Sequence, residues 1–209
     1  MKIMTKIDFK DLRFGGLVPF TTIDYPGKLS SVVFCQGCDW KCKYCHNRHL
    51  RKHNASSQLD GSSIKDFLSE RAWWIDAVVF SGGEPTLQEA LPTFISEIKS
   101  MNLDIGLHTA APHPESFKEF LWVVDWVGFD IKAPLDIRYD GLTGDEGSAE
   151  RVKESLSLLL GSGLDFQLRT TFDEKVLNKK DLYDIEEFLI SLNLKDKWKI
   201  QEARPVTTL

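Results

Sequence analysis

The chain has 209 residues, 42% of them hydrophobic and 27% charged, which fits one α/β domain with a substantial core and does not call for a second full-sized one. Its 26 Lys and Arg stand against 31 Asp and Glu, a formal net charge of -5, so no global positive field exists to hold a nucleic-acid backbone. The apolar runs fall far short of the roughly 20 residues that span a bilayer and the first residues carry no apolar signal core, so a soluble cytoplasmic protein with neither nucleic acid nor membrane as partner is expected.

Residues 1–29 read as a leader rich in turn signals, Gly15-Gly16, Pro19 and Pro26-Gly27, expected to pack on the domain that follows. Short apolar runs rich in β-branched and aromatic residues then predict six strands, at residues 30–34, 77–80, 103–108, 126–131, 166–170 and 198–201. Between them helices are predicted at about 63–70, 87–101, 114–121, 149–160 and 180–192, and residues 54–63 are polar enough for a surface loop. In the second helix Leu87, Ala90, Leu91, Phe94, Ile95 and Ile98 recur at three- and four-residue intervals and form one buried stripe. Strand-helix alternation implies parallel strands with right-handed crossovers. The residues after the leader suffice for about six βα units of about 30 residues each, fewer than the eight of a closed barrel. The expected fold is α/β, an open partial (β/α)6 barrel with parallel strands, in one domain over residues 1–209. Trp73-Trp74, Trp122 and Trp126, beside predicted strands, read as core.

Four cysteines, Cys35, Cys38, Cys42 and Cys45, lie in one short segment, which excludes a disulfide scaffold across the fold. In parallel α/β architectures the ligand site lies at the C-terminal ends of the strands, and each predicted strand there runs into polar or Gly-rich residues. The first runs into residues 38–45, the second into Ser81-Gly82-Gly83-Glu84-Pro85, the third into His108-Thr109, the fourth into Asp130-Ile131-Lys132, the fifth into Arg169-Thr170-Thr171 and the sixth into Glu202-Ala203-Arg204. That convergence argues for a single active site. The spacing Cys38-x3-Cys42-x2-Cys45 supplies three thiolates from one tight loop, suited to three irons of a [4Fe-4S] cube whose fourth iron stays open. Structural zinc through all four cysteines is the alternative, although zinc knuckles usually separate their Cys pairs by a dozen or more residues. Cys35 reads as a small buried hydrophobe, with a fourth ligand or a redox partner of Cys38 as the alternatives.

The cysteine spacing with Tyr44 before the last Cys, followed by Gly82-Gly83-Glu84 after the next strand, resembles the radical S-adenosylmethionine (SAM) superfamily. Phe-Thr-Thr-Ile-Asp-Tyr-Pro-Gly-Lys at 20–28, Gln36-Gly37-Cys38, Tyr44-Cys45-His46-Asn47, Ser-Gly-Gly-Glu-Pro-Thr at 81–86, Asp130-Ile131-Lys132-Ala133-Pro134 and Arg169-Thr170-Thr171 narrow the resemblance to the anaerobic ribonucleoside-triphosphate reductase activating proteins. It runs from about residue 14 to Leu209. The resemblance implies a [4Fe-4S] cluster whose open iron chelates the amino and carboxylate groups of SAM. One electron, from a donor such as flavodoxin or ferredoxin, then cleaves SAM to methionine and a 5′-deoxyadenosyl radical. The partner it implies is a glycyl-radical enzyme, an anaerobic ribonucleotide reductase, whose backbone glycine loses a hydrogen atom.

By the same resemblance Gly82 and Gly83 let backbone approach the methionyl end of SAM and Glu84 offers a carboxylate to its ammonium. Tyr44 presents a ring near the adenine, Asn47 bonds the nucleoside or the methionyl group, and Thr109 joins the cofactor site from the third strand. Asp130 and Lys132 surround the cofactor's carboxylate, with a monovalent cation as a possible companion, and Arg169 reaches in from the fifth strand. The plainer alternatives are helix capping for Glu84 and Asn47, core packing for Tyr44, and strand-end ion pairs for Asp130, Lys132 and Arg169. One departure concerns the cation: relatives commonly carry Asp-Thr-Asn-Gly after the third strand, where this chain has His108-Thr109-Ala110-Ala111. Two other functions compete, a 7-carboxy-7-deazaguanine synthase-like enzyme acting on a small pterin and a non-catalytic iron-sulfur or zinc module. The first lacks the leader motif, and the second leaves the strand ends unexplained.

Overall fold

A computed structural model describes residues 9–55 and 59–203. Seven strands form one sheet in the order β1-β2-β3-β4-β5-β6-β7: β1 (Phe14–Thr21), β2 (Ser30–Cys35), β3 (Ala77–Gly82), β4 (Asp104–Thr109), β5 (Trp126–Asp130), β6 (Asp165–Phe172) and β7 (Trp198–Glu202). The last six are mutually parallel, as expected from strand-helix alternation. The helices are α1 (Gly61–Arg71), α2 (Leu91–Lys99), α3 (Pro114–Phe120), α4 (Ile137–Thr143), α5 (Ser148–Ser162) and α6 (Lys179–Ser191). Strands β1 and β7 are the two edges and do not pair, so the α/β sheet is an open partial barrel.

Three local readings are corrected. The leader holds a strand: β1 pairs antiparallel with β2, with register shifts between Phe14 and Gly16 and between Val18 and Thr21. An edge strand with bulges tolerates the Gly and Pro that read as turns. The predicted helix at 87–101 begins only at Leu91, because Pro85–Leu87 is a separate 3-10 turn capped by the Glu84 side chain and Pro92 opens the helix proper. Helix α4 is additional, opened by Asp136, whose side chain accepts from Arg138 N, and closed by Gly144 at φ 72°.

Side chains alternate across the sheet. Val33, Cys35, Val78, Phe80, Ile105, Leu107, Val127, Phe129 and Leu168 face the helices and join one core with Phe94, Ile95 and Ile98 of the predicted α2 stripe. The concave face buries Val32, Val79 and Trp126 against Tyr25 of the leader. The Tyr25 and Trp126 ring centroids lie 5.1 Å apart, and Gly106 is bare beneath them, since a Cβ there would sit 2.9 Å from the Tyr25 ring. Lys28 pairs with Asp104, and Asp24 O meets His108 Nε2 at 2.8 Å. The leader therefore widens the sheet at one edge and closes the N-terminal end of the barrel interior. Of the four tryptophans expected in the core only Trp126 is there; Trp73, Trp74 and Trp122 are 93%, 77% and 82% exposed, because they sit in the helix-to-strand turns and not on the strands.

Candidate active site

Strand β2 hands the chain to the cysteine loop, which is rooted by main-chain hydrogen bonds. Gly37 N donates to Leu50 O at 2.7 Å and Cys38 N to Arg51 O at 3.1 Å, while the Gln36 amide donates to His49 O and Lys52 O. At the tip, Lys41 N donates to Thr143 O at 2.7 Å and the Trp40 indole N–H to Asp145 at 2.9 Å. Helix α4 and the turn after it thus brace the loop. Asp39 is held from outside by His53 at 2.9 Å and His113 at 3.1 Å.

The Gly-Gly-Glu segment wedges against that root. Gly82 has φ 114°, and a Cβ on it would lie 2.5 Å from Cys35 N; a Cβ on Gly83 would lie 2.2 Å from Gly37 O. Both glycines are required by the chain's own backbone approach, with Gly83 N donating to Cys35 O and Glu84 N to Gly37 O. The Glu84 side chain is 4% exposed. Its Oε1 accepts from Thr86 N (3.1 Å), Thr86 Oγ1 (2.7 Å) and Thr109 Oγ1 (2.6 Å), and its Oε2 from Ala110 N (3.1 Å). Burial pushes its pKa up, opposed by these four donors. Glu84 therefore latches the end of β3 to the end of β4, and it also caps the 3-10 turn, the plainer of its two expected roles.

The opposite wall is built from charge. Arg169 Nε and Nη2 donate to Asp130 Oδ1 at 3.0 and 2.8 Å, and Lys132 Nζ to Asp130 Oδ2 at 3.2 Å. Burial alone would raise the Asp130 pKa, but Arg169 and Lys132 hold it at about 2. Burial and then Arg169 push His108 down to about 3, so its imidazole is neutral near pH 7. Gly128 makes room for this packing, as a Cβ there would meet the Arg169 guanidinium at 2.8 Å and His108 at 2.9 Å.

Between these walls lies a cavity of about 200 Å³, and every predicted site residue lines it: Cys38, Cys42, Cys45, Tyr44, Asn47, Gly82, Gly83, Glu84, Thr109, Asp130, Lys132 and Arg169. Trp40, Ser81 and Thr171 line it too; of these, Trp40 was signalled only by an aromatic between two cysteines. Tyr44 OH donates to Lys132 O at 3.4 Å. Asn47 precedes a 3-10 turn without capping it through its side chain. Arg204, placed at the end of the sixth predicted strand, lies outside the described residues. Both carboxylates of the cavity already have protein partners and His108 is neutral, so its lining offers a monovalent cation no free carboxylate.

Cys38, Cys42 and Cys45 are free thiols opening on this one space. Cys35 is fully buried on the helix-facing side and does not line it, which removes the four-cysteine arrangement that structural zinc would take. Burial pushes the Cys38 thiol up to about 12 and raises Cys42 as well, so binding soft metal here releases protons. Three thiols from one loop, beside a lined and partly open space, fit a cluster held at three irons with the fourth free for a ligand. A second space of about 770 Å³ adjoins this one, sharing Tyr44 and His46, between Lys43 and Arg48 of the cysteine loop and Asp173, Glu174, Lys175 and Glu202 at the ends of β6 and β7.

Comparison with known proteins agrees with this geometry. The sequence model described as "Radical SAM superfamily" matches residues 32–189. The chain is 30% identical over 199 residues, 91% of its own length and 79% of the relative's, to a candidate glycyl-radical enzyme activating enzyme of Methanocaldococcus jannaschii. It is 30% identical over 150 residues to the pyruvate formate-lyase-activating enzyme of Streptococcus mutans, spanning 55% of that protein. Among solved structures, Streptococcus suis SuiB bound to S-adenosylmethionine superposes with a TM-score of 0.63 at 13% identity, over 82% of this chain and 40% of that one. The chain thus spans about half or less of the last two proteins.

Proposed function

The chain belongs to the radical SAM superfamily, which binds a [4Fe-4S] cluster and SAM, and from that membership we propose that it is a glycyl-radical enzyme activating enzyme whose partner is an anaerobic ribonucleotide reductase. The bound cluster and SAM would supply one-electron chemistry in which one electron from a flavodoxin or ferredoxin and one hydrogen atom from the partner's glycine together turn SAM into methionine and 5′-deoxyadenosine. Cys38, Cys42 and Cys45 hold the cluster. Lys132 and Arg169 present positive charge to the cofactor's carboxylate, oriented by Asp130. Glu84 and Thr109 fix the main chain of Gly82-Gly83 and of the end of β4 around the methionyl group, and Tyr44 and Asn47 close over the nucleoside. This assigns Glu84 an action through the backbone it positions.

The observation that carries the choice of substrate is the shape of the space around the site. The cluster and SAM would themselves occupy the cavity of about 200 Å³, and Tyr25, Trp126 and His108 close its floor, so a substrate would approach from the adjoining space. The cavity's continuation is the larger, open space of about 770 Å³ beside the ends of β6 and β7, lined by both basic and acidic side chains, which gives an extended polypeptide polar groups of both signs to meet. The partner's glycine segment enters there. The test is anaerobic electron paramagnetic resonance of the reconstituted, reduced protein mixed with SAM and an anaerobic ribonucleotide reductase carrying deuterated glycine. The expected result is deuterium in 5′-deoxyadenosine and a glycyl radical on the partner, whose signal is a doublet with unlabelled glycine and collapses toward a single line when the glycine is α-deuterated. No label transfer, with turnover of a pterin-like small molecule in its place, would overturn the proposal in favour of the synthase-like reading.

A further inference from the structure

Each residue between Cys38 and Cys42 is tied to a different part of the fold. The Asp39 carboxylate meets His53 and His113 on the outside of the loop, and Lys41 N donates to Thr143 O at 2.7 Å. Trp40, between them, turns inward. It is buried, lines the cavity beside Cys38, Cys42 and Cys45, and donates its indole N–H to Asp145 Oδ2 at 2.9 Å. Ion pairs as exposed as those of Asp39 contribute little. A buried indole N–H is a donor with no acceptor capacity, and losing its one partner costs the full penalty of burying it unpaired. The side chain with most hold on the course of the chain between these two cysteines is therefore Trp40.

The seat that receives it is itself fixed. Asp145 Oδ2 also pairs with Arg151, whose guanidinium donates to Pro112 O at 3.1 Å and to Glu146 O at 3.2 Å. Asp140 of α4 accepts from Gly147 N, Ser148 Oγ and Ala149 N at 2.9 Å each, which sets the turn that carries Asp145. The Trp40 ring stands edge-on to Tyr139, with centroids 5.8 Å apart, and Tyr139 is fully buried with its hydroxyl donating to Asp130 O at 3.4 Å. Asp145 and Arg151 do not line the cavity, so Asp145 reaches the thiols through Trp40.

We propose that Trp40, seated by Asp145, is a positioning residue for the cluster: it fixes the arm from Cys38 to Cys42 and keeps water from the thiols on the side of α4 and α5. The proposal rests on these thiols being the cluster's ligands. Anaerobic release of iron from the reconstituted protein to the ferrous chelator bathophenanthroline disulfonate tests it, together with the electron paramagnetic resonance line shape of the dithionite-reduced protein. Trp40→Ala should release iron about tenfold faster or more. Trp40→Phe, which keeps a ring against Tyr139, and Asp145→Ala delete the same bond. Each should speed release several-fold and alter the line shape in the same way, and the double variant should do no more than either alone. Asp145→Asn keeps an acceptor oxygen and should stay near the parent rate. Parent-like release and line shape in Trp40→Phe and Asp145→Ala overturn the proposal whether or not Trp40→Ala folds, and so do additive effects in the double variant. Release from Asp145→Asn as fast as from Asp145→Ala would assign the effect to the Arg151 pair and overturn it as well. A parent protein that takes up no iron would overturn the cluster reading and the proposal with it, an outcome distinct from iron that is bound and released alike in all variants.

Discussion

On one side of the cavity the cysteine loop hangs by main-chain bonds, Gly37 to Leu50 and Cys38 to Arg51 at its root and Lys41 to Thr143 at its tip; on the other, Asp130, Lys132 and Arg169 hold one another by charge. The charged wall is complete within the protein and ready before any cofactor arrives. The loop is complete only as backbone, since burial keeps the thiols of Cys38 and Cys42 protonated until metal takes the protons' place. Substitutions on the two sides should therefore fail differently, the loop in cluster content and the strand ends in fold stability or cofactor affinity.

The largest effect is expected at the thiols. Ala at Cys38, Cys42 or Cys45 should take iron from about four per chain to none and abolish 5′-deoxyadenosine release, while leaving the apo-protein's far-ultraviolet circular dichroism unchanged. Next comes Gly83→Ala, which reaches the loop without touching a ligand. Its Cβ would lie 2.2 Å from Gly37 O, so the loop root must shift, at about 1–3 kcal/mol and with reduced iron occupancy. Full occupancy in that variant would show that the root is more compliant than its close contacts imply.

Much of this site was legible because its chemistry sits at strand ends, and the strands were readable from short β-branched and aromatic runs. The parts that escaped are those where local signals compete. Gly15, Gly16 and Pro19 read as turns because the same residues serve a bulged edge strand. Helix α4 has only seven residues, too few for a periodic stripe, although Asp136 and Gly144 were available as its start and stop. Gly106 and Gly128, which make room for Tyr25 and Arg169, carry no motif, and their need arises only once strands are side by side. Trp73, Trp74 and Trp122 were misplaced because being next to a strand in sequence does not say whether a residue lies on the sheet or in the turn before it.

Glu84 tests the link between the two sides. A glutamine side chain in its place would keep one acceptor oxygen and turn an amide N–H₂ toward donors, leaving a buried group unpaired at a cost of about 1–3 kcal/mol. At about 2–4 °C per kcal/mol for a chain this size, Glu84→Gln should melt several degrees lower by differential scanning calorimetry, with a smaller loss of SAM affinity. A large affinity loss at unchanged melting temperature would instead put the carboxylate on the cofactor's ammonium.

His108 gives the charged wall a pH signature. Its folded pKa is about 3 against about 6.5 unfolded, so between these values the unfolded chain binds more protons. Stability should fall as pH drops from 6.5 toward 3, by up to about 1.4 kcal/mol per pH unit from this group. Asp130, held at about 2, adds its own loss only below about pH 4, as the pH falls toward that value. His108→Asn should therefore flatten the slope between pH 6.5 and 5 in urea unfolding curves, and an unaltered slope would mean that the imidazole is already protonated in the fold.

The smallest effect is expected at Cys35, and it separates main chain from side chain at the point where the two sides of the site meet. Its carbonyl accepts from Gly83 N at 2.9 Å, so its backbone helps seat the Gly-Gly-Glu turn, but its thiol faces the helices, buried with Phe14 and Val33. Burial raises that thiol's pKa well above the usual range, as it does for Cys38 and Cys42, but unlike theirs it does not line the cavity, which keeps it out of reach of the cluster. Cys35→Ala keeps the main chain and removes one sulfur from a packed core, a loss of about 1 kcal/mol. Iron content and charge-transfer absorbance should match those of the parent protein. Their collapse would make Cys35 a ligand and require the end of β2 to turn its side chain through the sheet.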